Sequence, residues 1–265
     1  MAGMCGIGFD TAERWWRVFA TAVCFTVFGI ACGAMGAVAL PILRLLIPHP
    51  ARRAHLAQVL THYSFRLFIG MIRGLGVVSV EFHGKERLGR TGMLVVANHP
   101  SLIDVVLLLS HLRSATCVVK KGLWENPLTR GAILAMGYLK HDREALVQEG
   151  VAVVQRGGNL LLFPEGTRSR AGEPITMQRG AANIALRANR SITPVLIHVS
   201  TPYLAKGDKW YRVPRRRPHF RIEVREDIDA LGLTAAARVP GRSARQLTMF
   251  MQQFFEKELR TLASA

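Results

Sequence analysis

The sequence predicts an α/β domain, a mostly parallel-to-mixed sheet flanked by helices, preceded by an N-terminal membrane-anchoring helical segment. Three observations predict it. Residues 18–43, about 26 positions, contain no charged side chain. From about residue 77, short β-rich runs alternate with helical ones. Residues 243–262 then close the chain with a helical stripe of Leu247, Phe250, Met251, Phe254, Phe255 and Leu259, which reads as core packing. Strands alternating with helices imply a largely buried sheet.

The apolar segment comes first in the chain. A bilayer-crossing helix needs about 20 residues, so 18–43 is long enough to cross. A cleaved leader is the first competing reading, with Arg14 and Arg17 ahead and Ala37-Val38-Ala39 behind. Its apolar part, however, exceeds the roughly 7–15 residues of such leaders. A buried core helix would not be so uniformly apolar. Trp15 and Trp16 stand at its leading edge, where amphipathic rings favour the interface. Gly29, Gly33, Gly36 and Pro41 can bend it, so a full span and a helix dipping into one leaflet both remain open. Residues 1–13 read as loose.

After the break at Pro48-His49-Pro50, residues 51–75 read as an amphipathic helix that lies on the membrane surface or packs on the domain. Residues 1–75 therefore form the anchor and 76–265 the α/β domain. In that domain, 77–82, 93–97, 115–119, 159–163, 191–199 and 219–224 read as strands, and 102–112, 127–136, 144–156 and 180–188 as helices.

Charge narrows the partners. Thirty-five Lys and Arg face 18 Asp and Glu, a formal net charge of +17. Such a surplus suits nucleic acid or an anionic membrane. The apolar start and the absence of a nucleic-acid motif select the membrane. Cations follow the apolar segment (Arg44, Arg52, Arg53, Arg66, Arg73) more densely than they precede it. The bulk of the chain is therefore expected on the cytoplasmic side. Cys5, Cys24, Cys32 and Cys117 show no Cys-x-x-Cys spacing, which argues against a disulfide framework or zinc site.

The chemistry is expected in two runs. In the first, His99 ends an apolar run and Asp104 follows five positions later, past Pro100. An imidazole can take a proton from an attacking hydroxyl, and a carboxylate can hold its tautomer. On one helix the two would diverge by roughly 140°. Pro100 biases His99 out of the helical region, placing it on a strand-to-helix turn with Asp104 in the first helical turn. The competing reading makes Ser101-x-x-Asp104 a capping box. The second run, Phe163-Pro-Glu165-Gly166-Thr167-Arg168-Ser169, puts a carboxylate, a glycine and a guanidinium on one turn at a strand end, where α/β proteins place ligands. Arg168 can fork onto a phosphate, helped by amides at Gly166 and Thr167. A salt-bridged turn is the alternative.

His99-x-x-x-x-Asp104 followed by Phe163-Pro-Glu-Gly-Thr-Arg resembles the glycerolipid (lysophospholipid) acyltransferase family, which includes the bacterial 1-acylglycerol-3-phosphate acyltransferases. The likeness covers roughly residues 75–225. Lys120-Lys121-Gly-Leu-Trp124, Gly137-Tyr-Leu-Lys-His-Asp142-Arg143, Gln178-Arg179-Gly180-Ala181 and Ile192-Thr-Pro194-Val195-Leu-Ile197 resemble its further blocks. The resemblance implies transfer of a fatty acyl group from acyl-CoA or acyl carrier protein, as co-substrate, to a lysolipid hydroxyl. His99 would be the general base and Asp104 its orienting partner. Arg143, Glu165, Gly166, Thr167 and Arg168 would hold the acceptor. Neither a metal nor a bound cofactor is expected, and the expected location is a bacterial inner membrane. The sequence also lacks a Gly-x-Ser-x-Gly elbow. Amides near Ser101 and Leu102 are candidate oxyanion donors.

Lys140, His141 and His198 depart from the family pattern and leave the acceptor's head group open. Lys206-Gly-Asp-Lys-Trp210-Tyr211 with Arg215-Arg216-Arg217 reads as a grip on anionic head groups, on CoA phosphates or on an acidic carrier protein, or as a solvated loop. The competing function is a non-catalytic protein that binds anionic membranes on the same scaffold.

Overall fold

The computed structural model describes residues 4–141, 143–169, 173–235 and 240–264. The chain opens with α1 (Met4–Ala34), a π-helical turn (Met35–Ala39) and α2 (Leu40–Leu46), then α3 (Pro50–Gly74). The domain follows as β1 (Ser79–His83), a 3-10 turn (Lys85–Gly89), β2 (Leu94–Ala97), α4 (Asp104–Leu109) and β3 (Ala115–Val119). Next come α5 (Lys121–Glu125), α6 (Pro127–Met136), β4 (Leu139–Lys140), α7 (Arg143–Gln155), β5 (Asn159–Leu162) and α8 (Gly180–Ala188). The last elements are β6 (Ile192–Val199), β7 (His219–Val224), α9 (Ala230–Thr234) and α10 (Pro240–Ser264).

One seven-stranded sheet runs in the order β1-β7-β6-β2-β5-β3-β4. Its pairings are parallel except β6 with β7, which is antiparallel. The central strands are buried on both faces, so they read as continuous apolar runs rather than alternating ones. Val95, Ala97 and Leu161 point into one cluster with Leu107 and Leu108 of α4, Ile69 and Ile72 of α3 and Ile133 of α6. Leu94, Val96, Leu160 and Leu162 point to the other side, against Ile184 of α8 and Leu247, Met251 and Phe255 of α10. The result is a helix–sheet–helix sandwich. The strand ends of β2, β3, β4 and β5 share one edge, where the loops from all four converge.

Helix begins at Met4, so the expectation that 1–13 are loose fails over the described residues. Arg17 supplies one physical reason. It is buried, pairs with Glu13 one turn earlier at 3.1 Å, and donates to the backbone carbonyls of Pro214 and Arg215. One turn on, the Thr21 hydroxyl meets the Tyr203 hydroxyl at 3.0 Å. Ala20 and Cys24 are buried on the same side. The outward side carries Trp15 at 70 %, Phe19 at 61 % and Ile30 at 67 % exposure. Residues Thr11–Leu46 make one helix long and apolar enough to cross a membrane. Yet one face of it packs on the α/β body, and its buried residues belong to the same core cluster as β2 and α4. α3 packs on the domain by one face and leaves an apolar stripe outward. Ala57, His62, Ile69 and Ile72 are buried, while Leu56, Leu60, Tyr63 and Leu67 form an exposed apolar stripe.

Around Gly36 and Pro41 the helix changes its winding. Pro41 cannot donate to the preceding turn, and the π-helical widening just before it absorbs the lost bond. Gly36, inside the widened turn, lies against Gly131 of α6. A Cβ on Gly131 would sit 2.9 Å from the Gly36 Cα. We therefore expect Gly131→Val to cost about 1–3 kcal/mol through overpacking, read as a lowered thermal midpoint in detergent, with the 34–46 region the first to become protease-sensitive.

Candidate active site

His99 stands on the turn between β2 and α4. Asn98, just before it, is almost fully buried and behaves as an extra peptide in the ladder. Its side-chain amide donates to the Ile197 carbonyl at 2.8 Å, and its oxygen accepts the Ile197 N–H at 2.8 Å. That side chain ties the end of β2 to β6 and fixes where the next residue begins.

The His99 Nδ1 lies 2.8 Å from Asp104 Oδ2. An ionised carboxylate only accepts, so Nδ1 carries the hydrogen, and Nε2 has no partner among the described residues. The same Oδ2 accepts the Ser101 N–H at 2.6 Å. Asp104 is the first residue of α4, preceded by Ile103 at the N-cap. The capping reading and the paired reading therefore meet in one atom. The Ser101 hydroxyl does not cap the helix; it donates to the Tyr203 carbonyl at 2.7 Å.

Asp104 has no exposed surface, and its Oδ1 has no hydrogen-bond partner among the described residues. Burial pushes its carboxyl above the ordinary range, and the bonds from His99 and Ser101 oppose that push. Nearby Glu165 adds a small upward contribution.

The Glu165 turn grips the His99 peptide from the β5 side. Glu165 Oε1 accepts the His99 N–H at 2.9 Å, and its Oε2 accepts the Ser169 hydroxyl at 2.7 Å. The Ser169 N–H returns to the His99 carbonyl at 2.8 Å. Both Glu165 oxygens are thus engaged within the chain. Phe163 stacks on the imidazole, ring centroids 4.2 Å apart and planes inclined 29°. Gly166 has φ +67°, and a Cβ there would lie 2.5 Å from the Gln178 Nε2 and 3.6 Å from the His141 Nε2. Only glycine fits, and the two polar side chains flank the turn. His141 follows β4, so the β4 and β5 ends meet here.

Arg168 Nη1 donates to the carbonyls of Leu204 at 2.7 Å and Ala205 at 2.9 Å. Leu204 also accepts the Leu102 N–H at 3.1 Å. Part of the guanidinium is therefore a clamp on the loop after β6. Thr167 sits half-buried on the same turn. Arg143 opens α7, and its side chain lies outside the described residues. The structure brings His99, Asp104, Glu165, Gly166 and Arg168 together. The candidate oxyanion donors are another matter. The Ser101 amide is spent on Asp104 and the Leu102 amide on Leu204, so the expectation placed there fails. The Gly166 N–H is likewise taken, by the Phe163 carbonyl at 3.1 Å.

Sequence reasoning missed Phe163 as the ring under His99, although the motif contains it, and missed Tyr203 and Leu204 altogether. An aromatic two residues before the motif's glutamate was the available signal for the first. The loop after β6 has no periodicity to betray the others.

Residues 79–198 match the acyltransferase family model. The chain is 26 % identical over 164 residues to the 1-acyl-sn-glycerol-3-phosphate acyltransferase of Cocos nucifera, covering 59 % of this chain and 52 % of that protein. It is 32 % identical over 178 residues to the enzyme of that name from Saccharomyces cerevisiae, covering 63 % and 55 %. The chain thus spans between half and two thirds of the length of the curated relatives first matched. The crystal structure of the 1-acyl-sn-glycerophosphate (LPA) acyltransferase PlsC from Thermotoga maritima superposes with a TM-score of 0.71. It covers 94 % of this chain and 98 % of that one at 17 % identity, a likeness of fold.

Because the folded state raises the Asp104 pKa, the stability this group contributes is present at acid pH and is lost as pH rises through the folded pKa. At neutral pH its buried charge opposes folding. We expect Asp104→Asn to melt at or above the parent temperature at pH 7.5, with the gap narrowing toward acid pH. A loss of several degrees at neutral pH would show that the pair is a net stabiliser.

Proposed function

We propose, from the match of residues 79–198 to the acyltransferase family model and the likeness to the 1-acyl-sn-glycerol-3-phosphate acyltransferases, that the chain moves a fatty acyl group from an acyl thioester to the hydroxyl of a lysolipid. The proposed acceptor is 1-acylglycerol-3-phosphate or a related lysophospholipid. The observation that carries this is the 2.8 Å pairing of His99 Nδ1 with the buried Asp104. It leaves Nε2 as the nitrogen that can accept a proton.

In the proposed reaction His99 Nε2 takes the acceptor hydroxyl proton as the oxygen attacks the thioester carbonyl. Asp104 holds the tautomer and stabilises the imidazolium. The tetrahedral intermediate then collapses to the ester and expels the thiolate. The imidazolium returns its proton to that sulfur, so the balance closes as alcohol plus thioester giving ester plus thiol. No acyl-enzyme forms. A positioned base supplies about 10²–10⁴-fold, and the rest falls to proximity and charge stabilisation. Glu165 and Phe163 position the base, since they hold its peptide and its ring. The Arg168 groups not engaged with Leu204 and Ala205, together with Arg143, Gly166 and Thr167, form the proposed acceptor site. His141 borders it at the Gly166 turn, and Lys140, just before it at the exposed end of β4, is a cation suited to an anionic head group. The donor, coenzyme A or acyl carrier protein, is proposed on the same footing.

We place the protein at a membrane, with the apolar face of α1 and α2 and the exposed stripe of α3 in contact with lipid. The cytoplasmic side of a bacterial inner membrane is the proposed location.

Purified protein in mixed micelles, given labelled acyl thioester and a panel of lysolipids, is expected to form diacyl product. His99→Ala should drop this to background while the chain still melts cooperatively, at a lower temperature because the buried Asp104 loses its partner, and Asp104→Asn should lower kcat about 10⁴-fold. Equal turnover by the His99→Ala variant would sink the base assignment. Vesicle binding without turnover on any acceptor would favour the non-catalytic reading.

A further inference from the structure

The loop between β6 and β7 carries more than its contacts with the site require. Its start is tied to the His99 turn through the Tyr203 and Leu204 carbonyls. Its later part leaves the site and runs along α1. The Pro214 and Arg215 carbonyls rest on Arg17, and the Trp210 ring lies 6.3 Å from Phe25. Arg17 and Phe25 are eight positions apart, about 12 Å along a helix, so the loop covers two turns of α1. Phe25 belongs to the apolar stretch whose outward face is exposed.

The side chains this loop shows to solvent have a consistent chemistry. Trp210 and Tyr211 are 44 % and 47 % exposed and meet edge to face at 5.7 Å, with Lys209 Nζ 5.7 Å above the tyrosine ring. Lys206, Arg212, Arg215 and Arg216 are exposed around them. Asp208, the acidic residue here, is turned back to accept the Ala205 N–H at 2.9 Å. Arg217 differs from its neighbours, because its guanidinium is used on the carbonyls of Arg73 and Val78.

We propose that residues 206–216 are an interfacial dock for an anionic lipid surface. Trp210 and Tyr211 enter the head-group region, and Lys206, Lys209, Arg212, Arg215 and Arg216 face lipid phosphates. Amphipathic rings favour that depth, and cations beside it gain from the negative surface potential. A carrier-protein surface would satisfy the cations. It would not account for an outward aromatic pair whose Trp210 sits against Phe25 of the apolar helix, and that placement decides for lipid.

The inference rests on the membrane association proposed above and not on acyl transfer. The test uses the full chain and phosphatidylcholine vesicles, with or without one part in three of phosphatidylglycerol, separated by flotation. The wild-type chain should prefer the anionic vesicles at low salt and lose that preference at high salt. The triple variant Arg212→Gln, Arg215→Gln, Arg216→Gln should bind them on the order of 100-fold more weakly, about fivefold per cation, yet bind neutral vesicles unchanged. Trp210→Ser with Tyr211→Ser should weaken binding to both. A triple variant that keeps the anionic preference overturns the dock, even if it loses transfer from acyl carrier protein. Equal binding of the wild-type chain to both vesicles overturns it too. A wild-type chain that binds neither would instead remove the membrane reading beneath it.

Discussion

A carboxylate with no exposed surface, placed on the first residue of a helix, is the constraint around which the site is built. Asp104 cannot be solvated, so the chain must supply what water would. It does so with one oxygen, which gathers the Ser101 N–H and the His99 Nδ1–H, and with the positive end of α4. The supply is incomplete, as the partnerless Oδ1 and the raised pKa both record. This explains why the imidazole is held so firmly. His99 is the side chain that offsets the buried charge, so the contact that orients the ring also answers the cost of burying its partner.

That contact needs a rigid frame, and besides the Asn98 tie to β6, three loops provide it by bonding to one another. The His99 peptide is held on both sides by the turn after β5, from Glu165 at its N–H and from Ser169 at its carbonyl. Two residues past Pro100 are held by the loop after β6, Ser101 through Tyr203 and Leu102 through Leu204. Arg168 closes the triangle by joining the β5 turn to the β6 loop. The same economy removes two amides from chemistry. Ser101 and Leu102 stand where an oxyanion donor would be sought from sequence, yet their N–H groups are consumed in bracing the base.

Much of this was legible in the residues, and the boundary of legibility is physical. Elements whose pattern is set by burial on a regular period were read with their ends in place: 115–119, 219–224, 127–136 and 180–188. β4 was not, because two residues cannot display a period; only its pairing with β3 makes it a strand. α4 starts later than the expected residue 102, since the Ser101 N–H goes to Asp104 and the Leu102 N–H to the Leu204 carbonyl. The pair at the site was legible because Pro100 forces the geometry that brings positions 99 and 104 together. The Arg168 clamp was not legible, for its carbonyl partners lie 36 and 37 residues away in a loop without periodicity. Nor could sequence show that Glu165 would turn inward, since a motif states a charge and not its direction.

The first helix extends the same logic beyond the site. Tyr203 is buried and faces two ways: its hydroxyl meets Thr21 of α1, and its carbonyl accepts the Ser101 hydroxyl beside Asp104. Arg17, one turn earlier on α1, is pinned to the far end of the same loop. A slip of α1 by one turn, about 5.4 Å, would break both contacts at once. The helix is therefore registered to the base and not hinged to it. A transfer between a thioester and a lysolipid head group needs the base at a fixed height above the lipid. On the proposed reading, three side chains set that height: Arg17, Thr21 and Tyr203. Residues remote in sequence from His99 would thus decide which part of a lipid reaches it.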